Sequence, residues 1–335
     1  MPVKTVVLGL SGGVDSSLCA ALLKEQGYAV HGLFLSYRGA DPEPARRAAA
    51  QAGIDLTVLD ITEQLEEKVI RPFCEAYQVG ITPIPCVLCN PEVKFFELFA
   101  FADRIGADYV ATGHYAKAEN GAIRAVDNPK DQSYMLHRLP PEWLPRLIFP
   151  LGEFPDKGAV RAAAAQRGLS AAESADSMEV CFIPEDDHAA FLESRGFGCP
   201  AGDFVDESGT VLGRHGGIHR YTVGQRRGLG VASTGRLFVK ALDCVNNQVV
   251  LTLQDPKATV AHCHDVVWQQ PRETRRFPAL VKIRYSRTSY PAIVEKLMDG
   301  RARIEFETPA RAPAPGQSAV FYTQDGILIG GGILE

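Results

Sequence analysis

Leu8 to Ser17, LGLSGGVDSS, constrains the fold of this chain more than any other stretch. It ends an apolar run, VVLGL, that reads as a buried strand, and it opens a helical segment, SSLCAALLKEQ, that Gly27 is placed to terminate. A strand, a glycine-rich turn and a helix start in that order make a phosphate cradle, because the unpaired amides of the turn and first helical turn point at one place. Gly12 and Gly13 let the backbone come close, while Ser11, Ser16 and Ser17 add hydroxyl donors. No Lys follows the last glycine, so the turn is not a Walker A loop.

Around this turn, residues 1 to about 196 alternate strand-like and helix-like segments. VKTVVLGL, YAVHGLFLSY, IDLTVLDI and ADYVATGHYA read as strands. PEPARRAAAQAG, TEQLEEKVIRPFCEAY (with Thr62 as N-cap) and VKFFELFAFADRIG read as helices. That alternation predicts an α/β domain with a parallel sheet, whose ligands bind at the carboxyl ends of the strands, where Gly12, Leu35 and Gly113 fall. After Gly196 the texture changes to short apolar alternations broken by glycine, among them DFVDESGTVLGR, HRYTVGQRRG, RLFVKALD and NNQVVLTL. A second such set runs from about His262 to the end, and together they predict two tandem β modules, 197–260 and 261–335.

The net charge of −5 argues against indiscriminate coating of nucleic acid. Between Ser208 and Leu242, however, no Asp or Glu occurs, while Arg214, Arg220, Arg226, Arg227, Arg236 and Lys240 do, which makes this span the place to seek phosphate contacts. Arg226 and Arg227 read equally well as a solvated turn. No apolar run reaches the roughly 18 residues of a membrane span, and the N-terminus leads almost directly into a strand, so a cytoplasmic protein without membrane contact is expected. Eight cysteines in a reducing compartment are expected to be buried, catalytic or metal-binding rather than disulfide-bonded.

In TPIPCVLCNPEVK, two prolines before Cys86 predict that Cys86 and Cys89 lie on a constrained loop rather than in a helix. DSMEVCFI, Asp176 to Ile183, offers Cys181 on a short apolar run with acidic neighbours. Cys19, Cys74, Cys244 and Cys263 fall at apolar positions and read as packing residues; Cys199 is a loop cysteine without an assigned role.

SGGVDSS resembles the turn of the PP-loop ATP pyrophosphatase superfamily. With VLCN, GHYA, KDQSY, EVCFI, HRYTVGQRRGLG and a C-terminal RYS segment in the same order, the whole chain resembles the tRNA-specific 2-thiouridylases, the MnmA family. The resemblance implies a PP-loop (adenine nucleotide alpha hydrolase-like) domain, a small central β domain and a C-terminal, tRNA-binding β-barrel. It implies that ATP, with Mg2+, adenylates the 2-carbonyl of the wobble uridine in tRNAs for Lys, Glu and Gln, after which sulfur replaces that oxygen. It assigns ATP contacts to Gly9, Leu10, Ser11, Gly12, Gly13, Val14, Asp15, Ser16, Leu35 and Gly113. Cys89 matches the nucleophile and Cys181 the persulfide carrier; Lys130, Asp131, Gln132, Arg284 and Tyr285 match tRNA contacts. His114 and Gln317 match tRNA-proximal positions, although His114 also reads as a core histidine.

The chain departs from the family where Asn-Pro-Asp gives way to Ile84, Pro85 and Cys86, and where Met178 replaces a usual glutamine. A third thiol therefore opens two routes. Either a Cys181 persulfide works with Cys89, through a disulfide or a released sulfide, or Cys86, Cys89 and Cys181 hold a [4Fe-4S] cluster whose open iron carries sulfide. The sulfur donor is a cysteine desulfurase, a relay protein or free sulfide. The rival readings are a PP-loop adenylating ligase acting on a small molecule and a non-catalytic RNA-binding protein. Paired cysteine motifs and an intact SGGVDS disfavour both.

Overall fold

The structure, a computed structural model, describes residues 2–174 and 180–335; Asp176, Ser177, Met178 and Glu179 of the second cysteine motif lie outside the described residues. Its seventeen strands in chain order begin with β1 Thr5–Gly9, β2 Ala29–Ser36, β3 Asp55–Asp60, β4 Tyr109–Ala111, β5 Lys117–Glu119, β6 Ala122–Arg124 and β7 Leu147–Ile148. They continue with β8 Gly202–Val205, β9 Val211–His215, β10 Phe238–Asp243 and β11 Gln248–Thr252. The last six are β12 Lys257–Trp268, β13 Arg276–Lys282, β14 Tyr290–Lys296, β15 Ala302–Arg311, β16 Ser318–Tyr322 and β17 Leu328–Leu334.

The first domain is the expected parallel sheet, ordered β3-β2-β1-β4-β7. Val6, Val7 and Leu8 of β1 are wholly buried because helices cover both faces, which is why this strand is a continuous apolar run rather than an alternation. The central strand therefore ends at a topological switch point, between β2 and β4, where the glycine-rich turn sits. Helix α1, Val14–Glu25, stops where Gly27 takes φ 85°, and Glu43–Ala52 stops at the left-handed Gly53.

Two local expectations fail for identifiable reasons. Cys86 and Cys89 lie on a helix, Pro85–Cys89, that continues through a π-helical turn, Asn90–Lys94, into Phe95–Ile105. Pro85 occupies the first turn, where a missing N–H costs nothing, and Pro91 removes the next helical donor, so the chain widens into a π turn instead of stopping. Thr62 is the first helical residue rather than the cap, since its N–H and hydroxyl both donate to Asp60 Oδ1, at 2.8 and 2.6 Å.

The central module is a four-stranded sheet ordered β10-β11-β8-β9, around Phe204, Val239, Val249 and Leu251. HRYTVGQRRG, expected as a strand, is a short 3-10 turn, Ile218–Arg220, followed by a loop, because Gly224 and Gly228 take φ of 82° and 72°. The C-terminal strands close a barrel in the order β12-β15-β14-β13-β16-β17. The long β12 pairs with β15 and then β17 across a register shift where Asp265 has φ 52°, the bend that closure needs.

Barrel and first domain meet over an apolar face that includes Val320, Tyr322 and Leu328. Tyr134 Oη donates to Ser318 O at 2.9 Å, and Gln269 Nε2 donates to Leu136 O at 2.7 Å. Buried His137 completes the seam beside Gly331, whose missing side chain makes room for the ring. Among the described residues no helix is long and apolar enough to cross a membrane.

Candidate active site

The nucleotide end of the site is built by β1 and the start of α1. Gly13 is the N-cap of α1 with no side chain covering it, and Ser17 N–H is the first to bond back, to Gly13 O at 3.0 Å. The preceding amides of the first turn thus remain available to an anion. Ser11 and Ser16 brace the turn: their hydroxyls lie 3.1 Å apart, Ser11 N–H donates to Ser16 Oγ and Ser16 Oγ donates to Gly13 O. Gly12 has φ 83°, and a β-carbon there would lie 2.3 Å from the Pro44 carbonyl carbon, so only glycine lets the turn pass the helix Glu43–Ala52. At the end of β4, a β-carbon on Gly113 would lie 3.1 Å from Asp15 Cβ, so this glycine keeps the approach to the helix start open. Leu35 is half-buried near the end of β2, while Leu10 and Val14 are buried beneath the turn.

Asp15 is held rather than free. Its Oδ1 accepts from Tyr115 Oη at 2.7 Å and its Oδ2 from Lys157 Nζ at 2.6 Å. Sequence reasoning missed both partners: Tyr115 stands inside the GHYA motif without a role having been expected of it, and Lys157 stands in no motif.

One residue beyond Gly113, the chain turns to the sulfur end of the site. His114 is buried, with Nδ1 2.7 Å from Thr112 Oγ1 and its ring stacked on Phe95 at 5.7 Å. Burial, with Lys94 nearby, holds its pKa well below the usual histidine value, so it is neutral at pH 7. Cys86 and Cys89 are partly buried on their helix, and Cys181 is exposed. Burial pushes the Cys86 thiol up and the Cys89 thiol to about 11; Lys94 opposes the shift at both, while Cys181 adds to it at both and Cys86 adds to it at Cys89. The peptide N–H of Lys94 also donates toward Cys89, a geometry created by the π turn. Lys94 is thus the cation of the sulfur site; it closes the stretch TPIPCVLCNPEVK, where only the cysteines had been singled out.

Asn90, directly after Cys89, is 1% exposed; its Nδ2 donates to Met135 O at 2.8 Å and its Oδ1 has no hydrogen-bond partner. It ties the cysteine helix to the segment that docks on the barrel. Outside the thiols lies a cavity of ≈ 170 Å³ lined by Phe73, Tyr77, Pro83, Pro85, Val180 and His188, among others. Among the described residues no three His, Cys, Asp or Glu side chains are gathered to hold a metal ion. Cys86, Cys89 and Cys181 nonetheless lie within electrostatic reach of one another.

The residues expected to touch RNA divide into two groups. Asp131 accepts from Ser133 N–H and pairs with Lys282 of the barrel at 3.0 Å, and Gln132 Oε1 accepts from Tyr115 N–H, so both brace the site. Gln317 Nε2 donates to Thr82 O at 2.9 Å, joining the barrel to the loop before Cys86. Lys130 is exposed, as is Tyr285, at 47%, and the Tyr285 phenol is raised by burial and by the charges of Asp131 and Cys86 beside it. Of the basic span, Arg214, Arg220 and Lys240 are paired with Asp203, Glu193 and Glu207, while Arg226, Arg227 and Arg236 are exposed and make no ion pair among the described residues. Cys19, Cys74 and Cys263 are buried as expected, but Cys244 is exposed, because it falls in the polar turn between β10 and β11 that Asp243 organises.

Comparison with known proteins matches three family models along the chain: a tRNA methyl transferase HUP domain over residues 4–185, a tRNA methyl transferase PRC-barrel domain over 190–252, and an aminomethyltransferase beta-barrel domain over 258–334. A tRNA-specific 2-thiouridylase MnmA of Geobacter metallireducens is 42% identical over 98% of this chain and 96% of its own length. That of Clostridium acetobutylicum is 38% identical over 99% of both. A solved 4-thiouridine synthetase–RNA complex with bound ATP covers 50% of this chain and 42% of its own at 16% identity and a TM-score of 0.34, too slight a likeness to argue from.

Proposed function

This chain belongs to the tRNA-specific 2-thiouridylase family, tRNA-uridine 2-sulfurtransferases that use ATP, and from that premise we propose how its own residues carry the reaction. The substrates are the tRNAs for Lys, Glu and Gln, and ATP enters with Mg2+. The phosphates of ATP lie on the amides of Gly12 to Ser16 at the start of α1, where the helix dipole and the serine hydroxyls stabilise pyrophosphate as it leaves. The uridine 2-oxygen attacks the α-phosphate, an O–P bond forms and pyrophosphate departs. Adenylation turns a poor leaving group into a phosphate ester.

Sulfur then replaces the oxygen. The outer sulfur of a Cys181 persulfide bonds to uridine C2 and AMP leaves with the original oxygen. Cys89 as thiolate attacks the Cys181 sulfur, the bond between Cys181 and the transferred sulfur breaks, and 2-thiouridine is released. A Cys89–Cys181 disulfide remains, which an external dithiol must reduce before the next turnover. Exposed Cys181 suits loading by a cysteine desulfurase or a relay protein that delivers sulfur already at the persulfide level. Free sulfide, in place of the dithiol, loads it by attacking the Cys89–Cys181 disulfide with Cys89 leaving as thiolate. The partly buried Cys89 suits a step from which water is kept away. Lys94 and its peptide N–H supply the charge that lets the Cys89 thiolate form. The exposed ring of Tyr285, beside Cys86, offers a stacking face for a base turned out of the anticodon loop.

The observation that carries this reading is the pairing of one exposed and one partly buried thiol within electrostatic reach of each other, the latter beside a single lysine. The test uses unmodified tRNA, ATP and a persulfide donor, with products separated on mercury-containing gels. Cys89→Ser is expected to trap tRNA on Cys181 as a mixed disulfide that dithiothreitol releases as thiolated tRNA; Cys181→Ser traps none, and Cys86→Ser retains activity. Free thiolated tRNA from Cys89→Ser at the wild-type rate, or total loss of activity in Cys86→Ser, contradicts the thiol route.

A further inference from the structure

Two guanidinium groups meet at the seam between the barrel and the central module. Arg284 follows β13 and Arg311 ends β15. Arg284 Nη2 donates to Ala312 O at 3.2 Å and Arg311 Nη2 donates to Gly224 O at 3.0 Å. The Nε of each is buried and has no hydrogen-bond partner. Neither forms an ion pair among the described residues, and Asp255 acts on Arg284 only at a distance. Both lie under the Gly224 turn: a β-carbon on that glycine would be 3.7 Å from Arg311 Nε and 3.9 Å from Arg284 Nη2.

Such an arrangement is costly in the free protein. Two like charges are brought together and partly dehydrated, and two donors are left unsatisfied. Burial and Arg311 both push the Arg284 guanidinium down from its usual value, the sign of mutual repulsion. An anion with several acceptor oxygens removes every one of these penalties at once, and a planar donor fork suits a phosphate better than a point charge does.

The surroundings say which anion. The Gly224 turn leads into Arg226 and Arg227, both exposed, which extend the positive surface away from the pair. On its other side, Thr222 Oγ1 lies 3.0 Å from Thr82 Oγ1, and Thr82 is the residue that Gln317 also holds, four positions before Cys86. A phosphate at the arginine pair is therefore fixed relative to the thiols through one short chain of contacts.

We propose that Arg284 and Arg311, closed over by the Gly224 turn, form a binding site for one backbone phosphate of the substrate RNA and so set the distance from that phosphate to the sulfur site. This rests on tRNA being the substrate. It adds Arg311, a defined ligand group and a positioning role.

The experiment measures binding of an anticodon stem-loop RNA to the full-length protein, with methylphosphonate replacing one phosphate at a time, in wild type and in Arg311→Gln. At one linkage the wild type is expected to lose about tenfold in affinity, while Arg311→Gln, already weakened to a similar degree, loses nothing further at that linkage. The salt dependence of binding in Arg311→Gln should be shallower by about 0.9 in log–log slope, and Arg311→Lys should restore the slope without restoring full affinity. Without RNA, Arg311→Gln should melt at or above the wild-type temperature, since it relieves repulsion. Coupling at no linkage, an unchanged salt slope, or a marked drop in melting temperature overturns the proposal. Failure of the wild-type protein to bind the RNA at all instead refutes the tRNA reading beneath it.

Discussion

The reactivity of Cys89 is the most exacting consequence of the sulfur site. A thiol held at about 11 is about one part in a thousand thiolate at pH 8, three units below its midpoint. Alkylation of Cys89 by iodoacetamide, followed peptide by peptide by mass spectrometry on the reduced protein, should therefore climb about tenfold for each pH unit from 8 to 10, without a plateau. Two effects act in opposite directions: burial raises the thiol, and the Lys94 charge holds it below where burial alone would leave it. A unit charge at several ångströms and an effective dielectric of about 20 contributes on the order of 1 kcal/mol or more, so Lys94→Met should slow alkylation at pH 8 by roughly tenfold. Thiouridine release should slow with it, while ATP binding at the α1 turn stays as it was. A Cys89 rate that levels off below pH 9, or one that rises in Lys94→Met, would refute the assignment of Lys94 as the charge that activates this thiol.

Further expectations are independent of the thiols. Gly12→Ala forces a side chain into a left-handed backbone and against Pro44, a cost of about 2 to 4 kcal/mol, so ATP-dependent protection against heat should vanish and the melting temperature should fall. Lys157→Met leaves one oxygen of Asp15 without its cation; the KM for ATP should rise while kcat with saturating ATP changes less. His137 is held near pKa 4 by burial, below its unfolded value of about 6.5; the stability it contributes is present above pH 6.5 and is lost as pH falls toward 4, by roughly 3 kcal/mol in full. Urea unfolding should show that slope, and His137→Leu, which cannot titrate, should flatten it.

The parts of the site legible in the sequence were those that depend on local chain geometry. LGLSGGVDSS announced itself because a strand, two glycines and a helix start must be contiguous to make a cradle, and the structure has them contiguous, on the central strand of the sheet. The rest depends on contacts distant in sequence. Tyr115 and Lys157 reach Asp15 from 100 and 142 residues away, and Arg311 meets Arg284 only because the barrel closes. The cysteine helix was misread for a different reason: Pro83 and Pro85, the two prolines before Cys86, look like breakers, yet Pro85 falls in a first helical turn, and Pro91 beyond it is absorbed by a π turn. That same turn aims the Lys94 peptide at Cys89, so the feature that hid the helix also built the site. The acid-free basic span is only half unpaired in the fold, because the acids that neutralise Arg214, Arg220 and Lys240, namely Asp203, Glu193 and Glu207, stand just before it in the chain.

The central claim is that the turn at α1 activates the uridine 2-oxygen before the thiols act. Single-turnover reaction of the enzyme with tRNA carrying oxygen-18 at C2 of the wobble uridine tests it most directly. The account predicts that the AMP released carries the heavy oxygen, one AMP per thiolated base. AMP without the label, alongside thiolated tRNA, would contradict it.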